Sequence, residues 1–394
     1  MASILPWLAS LPARLRARLR VSSSSSRPSS RHLIHTVSLH YLLVVPVALA
    51  IATAAVLFAH SDVNVAMLFS QCHARSRLPW LSHLPVIGAP SCFLVSFFGE
   101  ALASSRAVAV MGVVLAYIGS LLTVSTVEAA RICNGPSVLI AYPTGGWLVF
   151  DLVGGAMVWQ LLIIPAFFRR SKEVFAESEA ATATASEAAT ETEADTSTNR
   201  HLSVVAEVVA IPVAVALGYV VPSLAMLATD APAAIVAWLF FPLYVSAIRQ
   251  AVRWAIHHVA ASLAGRSLHL ESDRPSLLAV YAVPIAFSVV AQVLLIYNLV
   301  AVADDRKEMT RSTLKFIEID FFFILLTVLY WILVEAGWRV VAVVLVSSVV
   351  LGPGAGLCLG WIYREQQLGF AYDAVPGDAE QGADGLSEET PLLQ

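Results

Sequence analysis

Five carboxylates sit inside or at the ends of long apolar stretches: Glu128, Asp151, Glu207, Glu318 and Asp320. Burial in hydrocarbon disfavours charge, so a carboxyl there tends to its neutral, protonated form. A neutral carboxyl carries a transferable proton and can act as a general acid. Kept charged, it needs a cation or backbone donors. Each of the five therefore calls for either a partner or a task.

Spacing separates them. Glu128 precedes Arg131 by three positions, so the two share a helix face and suit an interfacial ion pair. Asp151 lies between Trp147 and the pair Gly154-Gly155, where small residues let helices pack closely. Glu207 falls in the first turn of its segment, where a helix N-terminus tolerates a carboxylate. Around Asp320 the pattern is richer. Thr327, Trp331 and Trp338 follow it at +7, +11 and +18 and return to nearly the same azimuth, while Glu318 is about 200° away. An acid, a hydroxyl and two indoles on one stripe could protonate an alkene and shield the resulting cation through the indole faces. An aromatic belt at a membrane surface would produce the same spacing. His257 and His258 have no second pair at ligand spacing, and no metal site is expected.

The elements that must hold these residues are long and oily. The chain has 394 residues, of which 58% are hydrophobic and 13% charged, with a mean hydropathy of +0.75. Apolar runs of that length read as membrane-spanning helices. The expected fold is all-α: a polytopic membrane helix bundle of about eight or nine transmembrane helices in two groups. An Arg/Ser-rich tail covers 1–37, and suits either a cytosolic anchor or a mitochondrial presequence. The first group covers 38–168 and the second 201–363. Between them, 169–200 is an Ala/Thr/Glu-rich tract with seven acids from Glu173 to Asp195, whose composition predicts a disordered linker. A polar tail covers 364–394.

Residues 146–168, 316–335 and 340–363 each read as one helix. Residues 86–105 either cross or form a re-entrant segment. Nine crossings would put the Arg-bearing loop 249–274 in the cytosol and the C-terminal tail outside. Eight would put the tail, with its acidic dileucine-like Glu388-Glu389-Thr390-Pro391-Leu392-Leu393, in the cytosol and the loop outside. The loop charges favour nine. Cys72, Cys92, Cys133 and Cys358 show no CxxC pairing and read as small apolar residues rather than a disulfide framework. No soluble catalytic domain fits between the runs, and no basic patch suits nucleic acid.

The stretches PSCFLVSFF (90–98), LLTVSTVEAAR (121–131) and AYPTGGWLVFDLVGG (141–155), together with 316–338, resemble one family. It is that of the fungal membrane-integral terpene cyclases of meroterpenoid pathways, the ascochlorin and macrophorin type. The resemblance covers about a third of the chain. It implies cyclisation of a prenyl chain on an aromatic or polyketide head, begun by protonating a terminal olefin or epoxide, without metal or other cofactor. Neither DDxxD nor DxDD occurs in the chain. The resulting expectation is a pocket between 146–168 and 316–335 that a prenylated substrate reaches from the bilayer. Asp320 is the first proton donor, with Asp151 or Glu128 next. Trp331, Trp147, Tyr142, Thr327 and Glu318 line the pocket. The endoplasmic reticulum or another endomembrane is the expected location. A proton-coupled secondary transporter, with 142–146 as a broken-helix site, and a non-catalytic membrane organiser are the alternatives.

Overall fold

The computed structural model describes residues 33–60, 63–74, 88–187, 202, 204–259, 268, 270 and 273–373. Most of residues 1–37, the end of the acidic tract and most of the C-terminal tail lie outside them. Within these residues the chain is helical, apart from isolated bridges of Leu202 with Arg131 and Leu268. Five helices are long and apolar enough to cross a membrane: α1 (Leu39–His60), α4 (Ser105–Ala130), α7 (Glu207–Thr229), α10 (Arg274–Ala301) and α11 (Glu308–Ala336). Between α1 and α4 lie the shorter α2 (Val65–Ala74) and α3 (Gly88–Ala101). The pair α8 (Pro232–Leu239) and α9 (Phe241–Val259) completes a sixth such segment, bent by 60°.

Helix α4 is the axis of the bundle. Its apolar window is 89% buried, against at most 39% for the other four. Ser104 starts it, accepting the Ala107 N–H at 3.2 Å from an extended backbone, a favoured N-cap. Helices α7 and α10 pack against it, as does the C-terminal α13 (Pro353–Asp373).

Three elements depart from expectation. Helix α3 has 14 residues, about 21 Å at 1.5 Å each, short of the ~30 Å hydrocarbon core. It packs on α2, α8 and α11 and then turns into α4. At that length α3 alone falls short of a crossing helix.

Residues 146–168 are not one helix. Helix α5 (Pro143–Val153) ends at Gly154, whose φ of +119° excludes most side chains. The chain turns back there into α6, residues 155–187, which has a π turn at Trp159–Ile163. Contacts of Trp147 with Trp159 and of Gly146 with Ile163 show the two arms antiparallel.

Residues 340–363 also fold into a hairpin. Helix α12 (Trp338–Leu351) and α13 meet at Gly352, with φ +93°. Gly356 lies on Ser348 and Gly360 on Val344, so these arms too are antiparallel. A Cβ on Gly354 would stand 2.7 Å from Ser120 Oγ and 2.8 Å from Ala116 O, which places the turn against the middle of α4.

The acidic tract departs from its expectation as well: α6 stays helical to Glu187. Arg169 pairs with Glu173, and Arg170 with Glu173 and Glu177. Such pairs, at one turn for Glu173 and two turns for Glu177, support a helix of good formers. The C-terminal tail likewise begins as helix, to Asp373, with Arg364 and Glu365 buried. Cys92 is disulfide-bonded, contrary to the sequence reading, while neither Cys133 nor Cys358 is in a disulfide.

The ends of the bundle follow from these contacts. Residues of the α4 C-terminus, the α11 C-terminus, α6 and α13 meet in one ionic cluster. At the opposite end Arg106 donates to the carbonyls of Asn298 and Val302, and Asp305 accepts from Ser105.

Candidate functional site

A cleft of about 230 Å³ opens at the ionic-cluster end of the bundle. One wall is apolar α4: Leu122, Thr126, Ala129 and Ala130. The second is the start of α5, with Tyr142, Pro143, Thr144 and Trp147. The third is α9, with Ser246, Arg249, Gln250 and Arg253. Those four residues sit at i, i+3, i+4 and i+7, one stripe of a helix. Behind them Glu207, fully buried at the α7 N-terminus, accepts from Arg249 Nε at 2.7 Å and Nη2 at 2.8 Å, with Arg253 Nη1 at 3.3 Å.

Trp147 forms the floor. Its indole N–H donates to Ser125 Oγ at 3.1 Å, and its ring packs against Phe150, Trp159 and Phe241. Behind it is an apolar void of only about 10 Å³, lined by Phe150, Trp159, Ile163 and Phe167, room for about one water. Tyr142, 72% exposed, stands at the rim.

The three expected proton donors have different surroundings. Asp151 lies one turn deeper than Trp147 on the same face of α5. It is buried, and neither carboxylate oxygen has a hydrogen-bond partner among the described residues. Tyr219 is within electrostatic reach; its hydroxyl is engaged with the Leu115 carbonyl at 2.7 Å. A bare buried carboxyl is costly unless protonated or used.

Asp320 is occupied. It accepts the N–H of Gly155 at 3.2 Å and of Ala156 at 3.1 Å. Gly154 has no side chain to cap α6, so Asp320 supplies the cap from α11. Both oxygens of this carboxylate are thereby engaged at the start of α6. Glu128 is also committed to structure. It accepts from Arg131, Arg364 and Asn134, while Arg131 reaches Glu365 at 2.7 Å and Arg364 reaches Glu365 and Glu335.

The aromatic residues form a column rather than a cavity wall. Trp147, Trp159, Trp331 and Trp361 follow one another at 6.0, 6.1 and 4.8 Å between ring centroids, and Arg364 lies 4.5 Å above Trp361. Trp331 is fully buried in that stack. Thr327 is buried too, bonded to the Phe323 carbonyl and to Gln160. Helices α6 and α11 thus pack tightly where a pocket between 146–168 and 316–335 was expected. Glu318 is exposed, toward Arg306. Trp338 leaves the stripe because Gly337 breaks the helix before it; it is 69% exposed.

In the sequence Arg249 and Arg253 stand out only as topology charges, although their helical spacing with Ser246 and Gln250 marks a polar stripe in an apolar helix. Trp159 and Trp361 carry no sequence signal, since each lies in an apolar run. No protein-family model, characterised protein or solved structure matches this chain.

Proposed function

We propose that the chain is an integral membrane cyclase that folds the prenyl chain of an amphiphilic substrate by protonating its distal alkene or epoxide. The observation that carries this reading is Asp151. It is a buried carboxyl with neither oxygen bonded among the described residues, one turn beyond the tryptophan that floors an open cleft. The polar head stays among Tyr142, Thr144, Gln250 and the arginines at the membrane surface. The prenyl tail passes Trp147, which must swing aside, and reaches Asp151. The carboxyl O–H gives its proton to the terminal alkene carbon or epoxide oxygen. The alkene π electrons form the new C–H bond, or the epoxide C–O bond opens. Successive π bonds then close the rings, and a carbon of the final cation returns a proton to the Asp151 carboxylate, which leaves an isomer of the substrate and regenerates the acid. Trp147 and Trp159 offer π faces to the intermediate cation, each worth about 2 kcal/mol when desolvated.

Five long apolar helices and the bent α8–α9 pair give six crossings on this reading. The described residues then begin and end at the ionic-cluster end. That end carries Arg131, Arg169, Arg170, Lys172, Arg249, Arg253 and Arg364, which makes it cytosolic. Cys92 is disulfide-bonded next to the other end, which suits an oxidising lumen.

Membranes containing the protein, supplied with farnesylated phenols and their terminal epoxides, test the activity. A product of unchanged mass and new retention time is expected, and Asp151→Asn should lower turnover by about 100-fold or more. No product, or normal turnover in Asp151→Asn, would overturn the assignment. The two glycine-broken hairpins favour a proton-coupled transporter as the second reading. In that case the same compounds would cross the membrane unchanged.

A further inference from the structure

The cleft carries an unbalanced charge. Arg249 already gives Glu207 two hydrogen bonds, enough to neutralise it, and Arg253 adds a second guanidinium to the same carboxylate. Among the described residues no carboxylate lines the cleft itself, so there two cations face one anion and leave one positive charge. Arg249 Nη1 and the Nε and Nη2 of Arg253 make no other hydrogen bond among the described residues. Arg253 is 33% exposed and sits on the cleft stripe with Ser246 and the exposed Gln250. A guanidinium that merely snorkels to the membrane surface needs no such stripe. The opposite wall, α4, offers only Leu122, Thr126, Ala129 and Ala130. The cleft is therefore cationic along one side and apolar along the other.

We infer that the cleft recognises an amphiphile with an acidic head: Arg253, with Arg249 and Gln250, takes a carboxylate, and the apolar tail lies along α4 toward Trp147. This rests on the cyclase reading in treating the amphiphile as the substrate of that site. A planar carboxylate suits the fork of Arg253, and Gln250 can donate a further N–H. The remaining positive charge also raises the local concentration of an anion at the membrane surface.

The test is binding by the full-length protein in phosphatidylcholine nanodiscs, read from quenching of tryptophan fluorescence. The probes are 3-farnesyl-4-hydroxybenzoate and its methyl ester. The acid should bind at least about tenfold tighter than the ester, since a charge-assisted hydrogen bond is lost on esterification. Arg253→Gln should abolish that preference while tail binding persists, and Arg253→Lys should restore part of it. Equal affinities for acid and ester in the unaltered protein would overturn the inference even if Arg253→Gln failed to fold. So would an unchanged preference in Arg253→Gln. Phosphatidylglycerol mixed into the disc should leave the acid's affinity unchanged; competition by it would assign the guanidinium to a lipid headgroup and sink the proposal. Acid preference without ring closure would refute only the cyclase, and ring closure without acid preference would refute only this inference.

Discussion

Removing Asp320 should destabilise the protein without removing its chemistry. Helix α6 begins directly after Gly154, and that residue makes no side-chain cap. Two N–H groups at the hairpin apex, of Gly155 and Ala156, are satisfied by the Asp320 carboxylate from α11. Losing a cap costs about 1–2 kcal/mol, and hydrogen bonds to a charged acceptor contribute about 1.5–3 kcal/mol. These figures describe the same contacts and do not add. In an apolar setting no water replaces the acceptor, so Asp320→Ala should cost about 2–4 kcal/mol. At about 2 °C per kcal/mol for a large domain, thermal unfolding in detergent should begin about 4–8 °C lower. Asp320→Asn keeps one acceptor oxygen and should lose about half as much. Tryptophan fluorescence against temperature measures both, and turnover of Asp320→Asn below its own midpoint should stay within about threefold of normal. An unchanged midpoint in Asp320→Ala would refute the capping argument. An inactive Asp320→Asn of normal stability would make Asp320 the proton donor and remove Asp151 from that role.

Two further outcomes follow from the ends of the bundle. Cysteines introduced at Ser267 and Ser387, with Cys133 and Cys358 replaced, should both be labelled from the cytosolic side; labelling from opposite sides would refute six crossings. At the other end, Asp305 accepts the Ser105 backbone N–H at 2.7 Å and the Ser105 hydroxyl at 2.8 Å. Those bonds hold its carboxyl down at about 2, against the usual ~3.9. A lowered carboxyl stabilises the fold above its unfolded value, and the benefit fades as pH falls through the folded one. The gap in melting temperature between the unaltered protein and Asp305→Asn should therefore be full at pH 5 and close between about pH 4 and pH 2. A gap constant over that range would refute the linkage.

The long crossings are legible in the sequence because an apolar run of about 20 residues suits a bilayer and little else. Helices α1, α4, α7, α10 and α11 fall where the apolar runs lie. The two hairpins are not legible in this way, because hydropathy is blind to a turn between two apolar arms. Residues 340–363 carry Gly352-Pro353-Gly354 in mid-run, a strong breaker signal, yet their summed hydropathy matches a single span. The acids are legible too, since each is conspicuous in oil. Their partners are not: Asp320 meets backbone in α6, and Glu207 meets arginines on α9. Such pairings depend on tertiary contact and leave no local pattern.

The hairpins also remove a conflict that the sequence poses. With every apolar run counted as a crossing, the Arg-bearing loop 249–274 and the C-terminal tail are forced to opposite sides. Folding 340–363 back at Gly352 returns the chain to the end it left, beside Arg131 and Glu128. The turn at Gly154 does the same for α5 and α6. On the six-crossing proposal, two returns and a short α3 change the parity, so the positive charges and both ends of the second helical group share one face. The same turns create the site. Helix α5 descends only halfway, so its first turn lines the cleft while Asp151, one turn past Trp147, reaches bundle depth. On the cyclase proposal, this placement lets a polar head in the cleft and the buried acid address one molecule.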